Sequence, residues 1–394
     1  MKKAIAGVAL LMAGLVAAVL VGTAYRSPAP AYALSSGPAA TATPSPTATP
    51  TPTPTPPAPL KVVSVSPGRN ATNVSFAHTM SVRFSAAVAT PTPDPRLSPK
   101  IPGSWKLAGA STLVFVPAGH LPVYTTVRLT IPAGSAGVHA VDGGRFATAY
   151  VTQFTVNGPS SILRLQQLLA ELGYLPKRFH PAATTGSLSA LASEPTNPDL
   201  ISLLPLSGSF GWRYGGIPKT MASLWKKGRY TSLIKGAVMA FESGHGLTDD
   251  GVAGRRVWIA LLNATAAHKP HKAAYDYVEV STITPQTLSV WQNGKVIYRT
   301  PANTGIASRP TEKGTFPVYA RYVSTTMSGT NPDGSHYNDP GVPYVAYFNG
   351  GDAVHGFRRA SYGYPQSLGC VELPYSAAAV VFKYDPIGTL VTVF

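Results

Sequence analysis

The chain has 394 residues, of which 44% are hydrophobic and 12% charged, and its 32 Lys and Arg against 16 Asp and Glu give a formal net charge of +16. The positive excess is scattered, without the Arg-rich helix or aromatic-interleaved basic stretch of a nucleic-acid binder, so no nucleic-acid partner is expected. A single cysteine, Cys370, excludes an intrachain disulfide, and the fold must rest on its hydrophobic cores.

In chain order, Met1-Lys2-Lys3 precede an uncharged apolar run from Ala4 to Ala24. Its length is close to the roughly 20 residues that cross a bilayer, so segment 1–26 reads as a secretory signal or an uncleaved membrane anchor, with the remainder exported. Segment 27–59 is dominated by Ala, Thr, Pro and Ser and closes on alternating Thr-Pro, which reads as an extended spacer. In an exported protein, the scattered positive charge points to anionic cell-wall polymers as partners. A free thiol in an oxidising compartment then calls for a reason.

Residues 60–157 read as strands. Met80, Val82, Phe84, Ala86 and Val88 alternate with polar or small residues, as do Val127, Leu129 and Ile131, and turn clusters such as Ser66-Pro67-Gly68 punctuate the runs. Short strands at regular spacing predict a β-sandwich. Through "VSVSPGRNATNV", "GSWKLAGASTLVFVPAGHLP" and "QFTV" the stretch resembles bacterial Ig-like domains, which implies a spacer or wall-facing module.

Residues 158–267 carry helical periodicity. Ile162, Leu165, Leu168, Leu169 and Leu172 share one face, followed by Leu233, Ala237, Val238 and Phe241, then by Val257, Trp258, Leu261 and Leu262. The residues alone predict a small three-helix bundle, and the order of motifs also resembles the peptidoglycan-binding domain, split here by an insertion at about 179–230. Within the insertion, Phe210, Trp212 and Tyr214 alternate; they fit either sugar stacking or a hairpin packed on the bundle.

Residues 275–394 return to strand text, with Asn293-Gly294 as a hairpin signal and one amphipathic helix after Pro374. The predicted fold class is therefore multidomain: a β-sandwich, a small helical bundle and a C-terminal, mostly β domain. Here the chemistry collects. Cys370 follows Gly369, fifteen residues after His355. A free thiol is mostly protonated at neutral pH, and an imidazole cures this by taking the proton and later returning it to a leaving amine. The turn Ser367-Leu368-Gly369-Cys370 can aim the N–H groups of Gly369 and Cys370 at one point, as an oxyanion hole requires. A lone cysteine and a lone histidine also fit inert core and structural positions, so the flanking text must decide. His336, His355 and Cys370 lack zinc-ligand spacing, so no metal or other cofactor is expected.

That flanking text resembles the L,D-transpeptidase catalytic domain, also called YkuD. The family's signature is His-Gly, a gap, then Ser/Thr-His-Gly-Cys, a hydrophobic residue, and Asn or Arg. This chain has His355-Gly356 and Ser367-Leu368-Gly369-Cys370-Val371-Glu372, with "NTGIASRPTEKGTFPVY" similar to the family's upstream run. The resemblance implies a cysteine-dependent acyltransferase acting on peptidoglycan stem peptides and forming third-to-third cross-links, or a carboxypeptidase where water is the acceptor. It implies Cys370 as nucleophile, His355 as its base, the Gly356 carbonyl as the group that orients the imidazole, and Gly369 as an oxyanion donor. Ser367, Tyr337, Tyr344 and Glu372 are the candidate substrate contacts. Leu368 stands where the family has a second histidine, and Glu372 where it has Asn or Arg. A non-catalytic wall-binding protein that has decayed at these two positions is the rival expectation.

Overall fold

The computed structural model describes residues 56–182 and 197–394. Segment 1–26, most of the 27–59 spacer and part of the insertion lie outside the described residues.

The first folded region is a sandwich of two four-stranded sheets. Its strands are β1 (Val62–Ser66), β2 (Ala71–Val74), β3 (Met80–Phe84), β4 (Arg96–Ser98), β5 (Gly103–Leu107), β6 (Thr112–Pro117), β7 (Thr126–Ile131) and β8 (Tyr150–Val156). One sheet has the order β1-β3-β6-β5 and the other β2-β8-β7-β4. The alternation read from the sequence is the cause: Met80, Val82 and Phe84 point inward while Arg83 between them is exposed, and Val127, Leu129 and Ile131 do the same from the facing sheet.

The helical text forms α1 (Ile162–Glu171), α2 (Lys219–Leu224), α3 (Ser232–Gly244) and α4 (Arg255–Ala266). The Ser161 hydroxyl caps α1 by accepting from Arg164 N–H at 3.3 Å. The inserted segment adds a hairpin of β9 (Lys177–Pro181) and β10 (Gly208–Trp212). Its aromatics turn toward the helices: Phe210 lies 5.1 Å from Phe179 and 4.9 Å from Trp225, and the Lys177 ammonium sits 3.9 Å above Trp212. Hairpin packing, rather than a free stacking face, is what this arrangement provides.

The helices do not close their core alone. Leu165, Leu169, Val238, Phe241 and Leu261 share one buried cluster with Val123 of the sandwich and with Tyr277, Trp291 and Leu390 of the C-terminal region. Trp291 Nε1 donates to Gly216 O at 2.8 Å. Helix α3 meets the C-terminal region through two glycines: a Cβ on Gly236 would stand 2.5 Å from Gly388 O, and one on Gly388 2.4 Å from Gly236 O. Backbones this close tolerate no side chain at either position.

The C-terminal region contains β11 (Asp276–Ser281), β12 (Thr287–Gln292), β13 (Lys295–Pro301), β14 (Gly314–Pro317), β15 (Ala320–Thr330), β16 (His336–Asn349), β17 (Asp352–Gly356), β18 (Val371–Leu373), α5 (Tyr375–Val381) and β19 (Leu390–Val393). Asn293 and Gly294 take φ of 46° and 105° in the β12–β13 turn, as its right-handed twist demands. Two sheets, β13-β12-β11-β19-β14 and β15-β16-β17-β18, enclose a core that includes Val278, Val290, Val354, Val371, Leu373 and Val391. Among the described residues no helix is long and apolar enough to cross a membrane.

Candidate active site

The site is built by a parallel pairing that neither short strand advertises in its sequence. β17 and β18 run side by side with Val354 opposite Val371 and His355 opposite Glu372. Because side chains alternate, Val354 and Val371 go into the core, 1% and 0% exposed, while His355 and Glu372 take the other face. Extending the register back one position sets Cys370 beside Ala353, whose N–H donates to the sulfur. Cys370 and His355 thus occupy one face of neighbouring strands, two positions apart, with backbones about 8 Å from each other. Both side chains point away from the core, into the same cleft.

Both residues line one cleft of about 730 Å³. The long β15–β16 hairpin of the same sheet adds Met327, Tyr337, Asp339 and Tyr347 to the lining, and Leu368 lies at the nucleophile turn. Cys370 is partly exposed at its floor, and its Sγ–H is directed at Gly351 O, 3.7 Å away. Burial pushes the thiol up to about 12, helped by the carboxylates of Asp352 and Glu372 and opposed by the Ala353 N–H. His355 is 3% exposed, and burial lowers its pKa against the partial opposition of its bond to Gly356. Thiol and imidazole are therefore both neutral at rest. His355 Nδ1 lies 3.1 Å from Gly356 O; a carbonyl only accepts, so Nδ1 carries the proton and Nε2 keeps its lone pair.

Four residues behave differently from their sequence-based expectations. The Gly369 N–H, expected to face an oxyanion, donates instead to Ser367 Oγ at 3.2 Å, within the turn. Ser367, expected to touch substrate, is 2% exposed and spends its hydroxyl on Cys370 O at 2.6 Å, so it braces the nucleophile from behind. Tyr344 does not line the cleft: it shares strand parity with the buried Ala346 and Phe348, and its ring packs 5.8 Å from Phe382. Tyr347, of the opposite parity, lines the cleft in its place, and Tyr337 lines it as expected. Glu372 is not free to meet a substrate cation. Arg359 grips it through Nε at 2.8 Å and Nη2 at 2.7 Å, while the guanidinium lies 4.7 Å from the Phe357 ring. This pair occupies the side of the cleft where the family motif has Asn or Arg.

Arg359 and Asp352 were not singled out by sequence reasoning for roles in this cleft. For Arg359 the signal available was an acid, Glu372, standing where the family motif has Asn or Arg, which calls for a cation nearby; Asp352 gave none. Among the described residues no group of three or more His, Cys, Asp or Glu is placed to hold a metal ion.

Two family models match the chain. Residues 275–393 match the family model of the L,D-transpeptidase catalytic domain, YkuD, and residues 56–156 match that of a bacterial Ig-like domain. No curated protein sequence matches the chain. Among solved structures, an L,D-transpeptidase from Mycobacterium smegmatis is similar at 15% identity, covering 86% of this chain and 100% of its own, with a TM-score of 0.28. L,D-transpeptidase 3 from Mycobacterium tuberculosis with a faropenem-derived adduct is similar at 15% identity over 84% and 97%, with a TM-score of 0.28. The catalytic domain of the E. faecium L,D-transpeptidase reaches 29% identity over 32% of this chain and 100% of its own, again with a TM-score of 0.28. On the two domain matches, the chain carries a YkuD-type L,D-transpeptidase catalytic domain at residues 275–393 and a bacterial Ig-like domain ahead of it.

Proposed function

We propose that the protein is an exported, cysteine-dependent peptidoglycan L,D-transpeptidase that forms third-to-third stem-peptide cross-links through a thioester on Cys370. The observation that carries this reading is the placement of Cys370 and His355 on one sheet face at the floor of one cleft, with the imidazole tautomer fixed by Gly356. Cys370 Sγ attacks the carbonyl carbon of the third stem residue, a diamino acid, while His355 Nε2 takes the thiol proton. The imidazolium then returns that proton to the departing terminal D-alanine, and the thioester remains. With both partners neutral at rest, proton transfer accompanies attack rather than preceding it. Since the Gly369 N–H is held by Ser367, the N–H of Cys370 itself is the backbone donor we assign to the oxyanion.

The segments upstream set position. The resemblance of 158–267 to a peptidoglycan-binding domain and the net charge of +16 support contact with the wall and its anionic polymers. The apolar run within 1–26 supports export, by a cleaved signal or a membrane anchor.

The test is to incubate the protein with tetrapeptide muropeptides and follow products by mass spectrometry. Wild type is expected to yield cross-linked dimers with loss of D-alanine, and Cys370→Ala neither, a drop of at least about a thousandfold for removal of a nucleophile. Identical products from the two proteins sink the enzyme reading and leave a wall-binding scaffold. A carbapenem adduct on Cys370 is a second expected result.

A further inference from the structure

We propose that Asp352 is the acceptor-binding residue of this site, holding the ammonium group of the incoming stem beside the acylated Cys370 and so favouring cross-linking over hydrolysis. This rests on the transpeptidase reading above.

Asp352 opens β17, immediately before the Ala353 whose N–H reaches the sulfur, and it lines the same cleft as Cys370 and His355. Its carboxylate is pressed onto the nucleophile turn: a Cβ on Gly369 would stand 2.3 Å from Asp352 Oδ1, and Gly369 has φ of +124°. Only glycine there lets the acid approach. The Glu312 backbone N–H donates to Asp352, yet neither the Arg321–Asp385 nor the Arg359–Glu372 ion pair includes it. The ionised neighbour that acts on it is another carboxylate, Glu312, and this repulsion adds to burial in raising its pKa to about 6.

Such a charge hinders the nucleophile, because Asp352 opposes thiolate formation at Cys370. Acylation removes that conflict, since a thioester sulfur is uncharged, and leaves an unpaired carboxylate where the second substrate must arrive. Of the cleft's other acids, Glu372 is neutralised by Arg359, and Asp339 acts electrostatically on His355 and Arg359 but is not among the charges that act on Cys370. An ammonium neutralises the Asp352 charge as well as donating to it; water, being uncharged, only donates. After the ammonium loses one proton to solvent, its lone pair forms the C–N bond. The C–S bond breaks with its electron pair going to Sγ, and a second N–H proton passes through the His355 imidazole to the sulfur.

The test is Asp352→Asn. The ratio of cross-linked dimer to hydrolysed tripeptide is expected to fall about tenfold, the loss of one charge-assisted contact, while acylation of Cys370 by a carbapenem is expected to quicken. An unchanged ratio overturns the proposal, and so does a joint fall of dimer and acylation, which marks a structural role. Should wild type itself form no dimers, the transpeptidase reading fails separately. Asp352 is then judged by calorimetry on Cys370→Ser protein, comparing a tripeptide ending in lysine with its Nε-acetyl analogue. A preference for the free amine that is lost in the doubly substituted protein supports the assignment, and equal binding of the two peptides to Cys370→Ser protein overturns it.

Discussion

At the scale of single residues, the environment of Cys370 opposes ionisation, and this has a measurable consequence. A thiol pushed up to about 12 by burial is a smaller fraction thiolate at every lower pH than an ordinary one. Alkylation of the free protein by iodoacetamide is therefore expected to be slow at neutral pH and to climb about tenfold per pH unit through pH 10. Because the chain has one cysteine, mass spectrometry reads this site without interference. A plateau near pH 8.5 would show an unperturbed thiol. The grouping of Cys370, His355 and Gly356 was legible because the motifs that carry the family resemblance, His355-Gly356 and Gly369-Cys370, are local in the sequence. The duties of Ser367 and Gly369 could not, since whether an N–H meets an oxyanion or a neighbouring hydroxyl depends on how the turn closes. Asp352 was silent for a related reason: in "GGDAVHG" it has no partner in sequence, only one in space.

At the scale of elements, periodicity identified what was long. The three longer helices before the catalytic region, the amphipathic one after Pro374 and the Asn293-Gly294 hairpin all follow from patterns of several turns or a fixed turn chemistry. β18, with three residues, is too short to show alternation, and yet its register with β17 sets the whole site. β16 begins at His336, well ahead of its apolar run "VPYVAYF", because Gly341 at φ of 74° carries the strand across a ladder irregularity near "NDPG". The Gly236–Gly388 contact was likewise invisible, because it joins positions far apart in the chain. Its substitution is informative. Gly388→Ala adds a Cβ 2.4 Å from Gly236 O at a residue with φ of +86°, so strain and overlap act together. A loss of about 2–4 kcal/mol is expected in urea unfolding. An unchanged midpoint would mean that α3 is not seated against this loop.

For the molecule as a whole, buried acids set the response to pH. Burial raises Glu242 to about 7 and Asp276 to about 6, and it raises Asp385 to about 8 despite Arg321 at 3.4 Å. These groups hold protons in the folded state that the unfolded chain, with carboxyl pKa values near 4, releases. Their contribution is complete at low pH and is lost as pH rises through the folded values. His355 and His271, lowered by burial, act in the opposite sense: their contribution is present above about 6.5 and lost as pH falls. Above pH 6.5 the carboxylates dominate, so thermal unfolding is expected about 2–6 °C higher at pH 6.5 than at pH 8.5. Scanning calorimetry at the two values decides it, and a higher Tm at pH 8.5 would contradict the burial of these acids.

The cluster that unites Leu165 and Phe241 with Tyr277, Trp291 and Leu390 also fixes an order of events. Leu390 belongs to β19, which sits between β11 and β14 and is the latest strand in the chain. The helices synthesised before it hold an open apolar surface until that strand arrives. They complete their packing only after the sequence for the catalytic sheets has emerged, so maturation of the upstream helices waits on the enzyme they accompany.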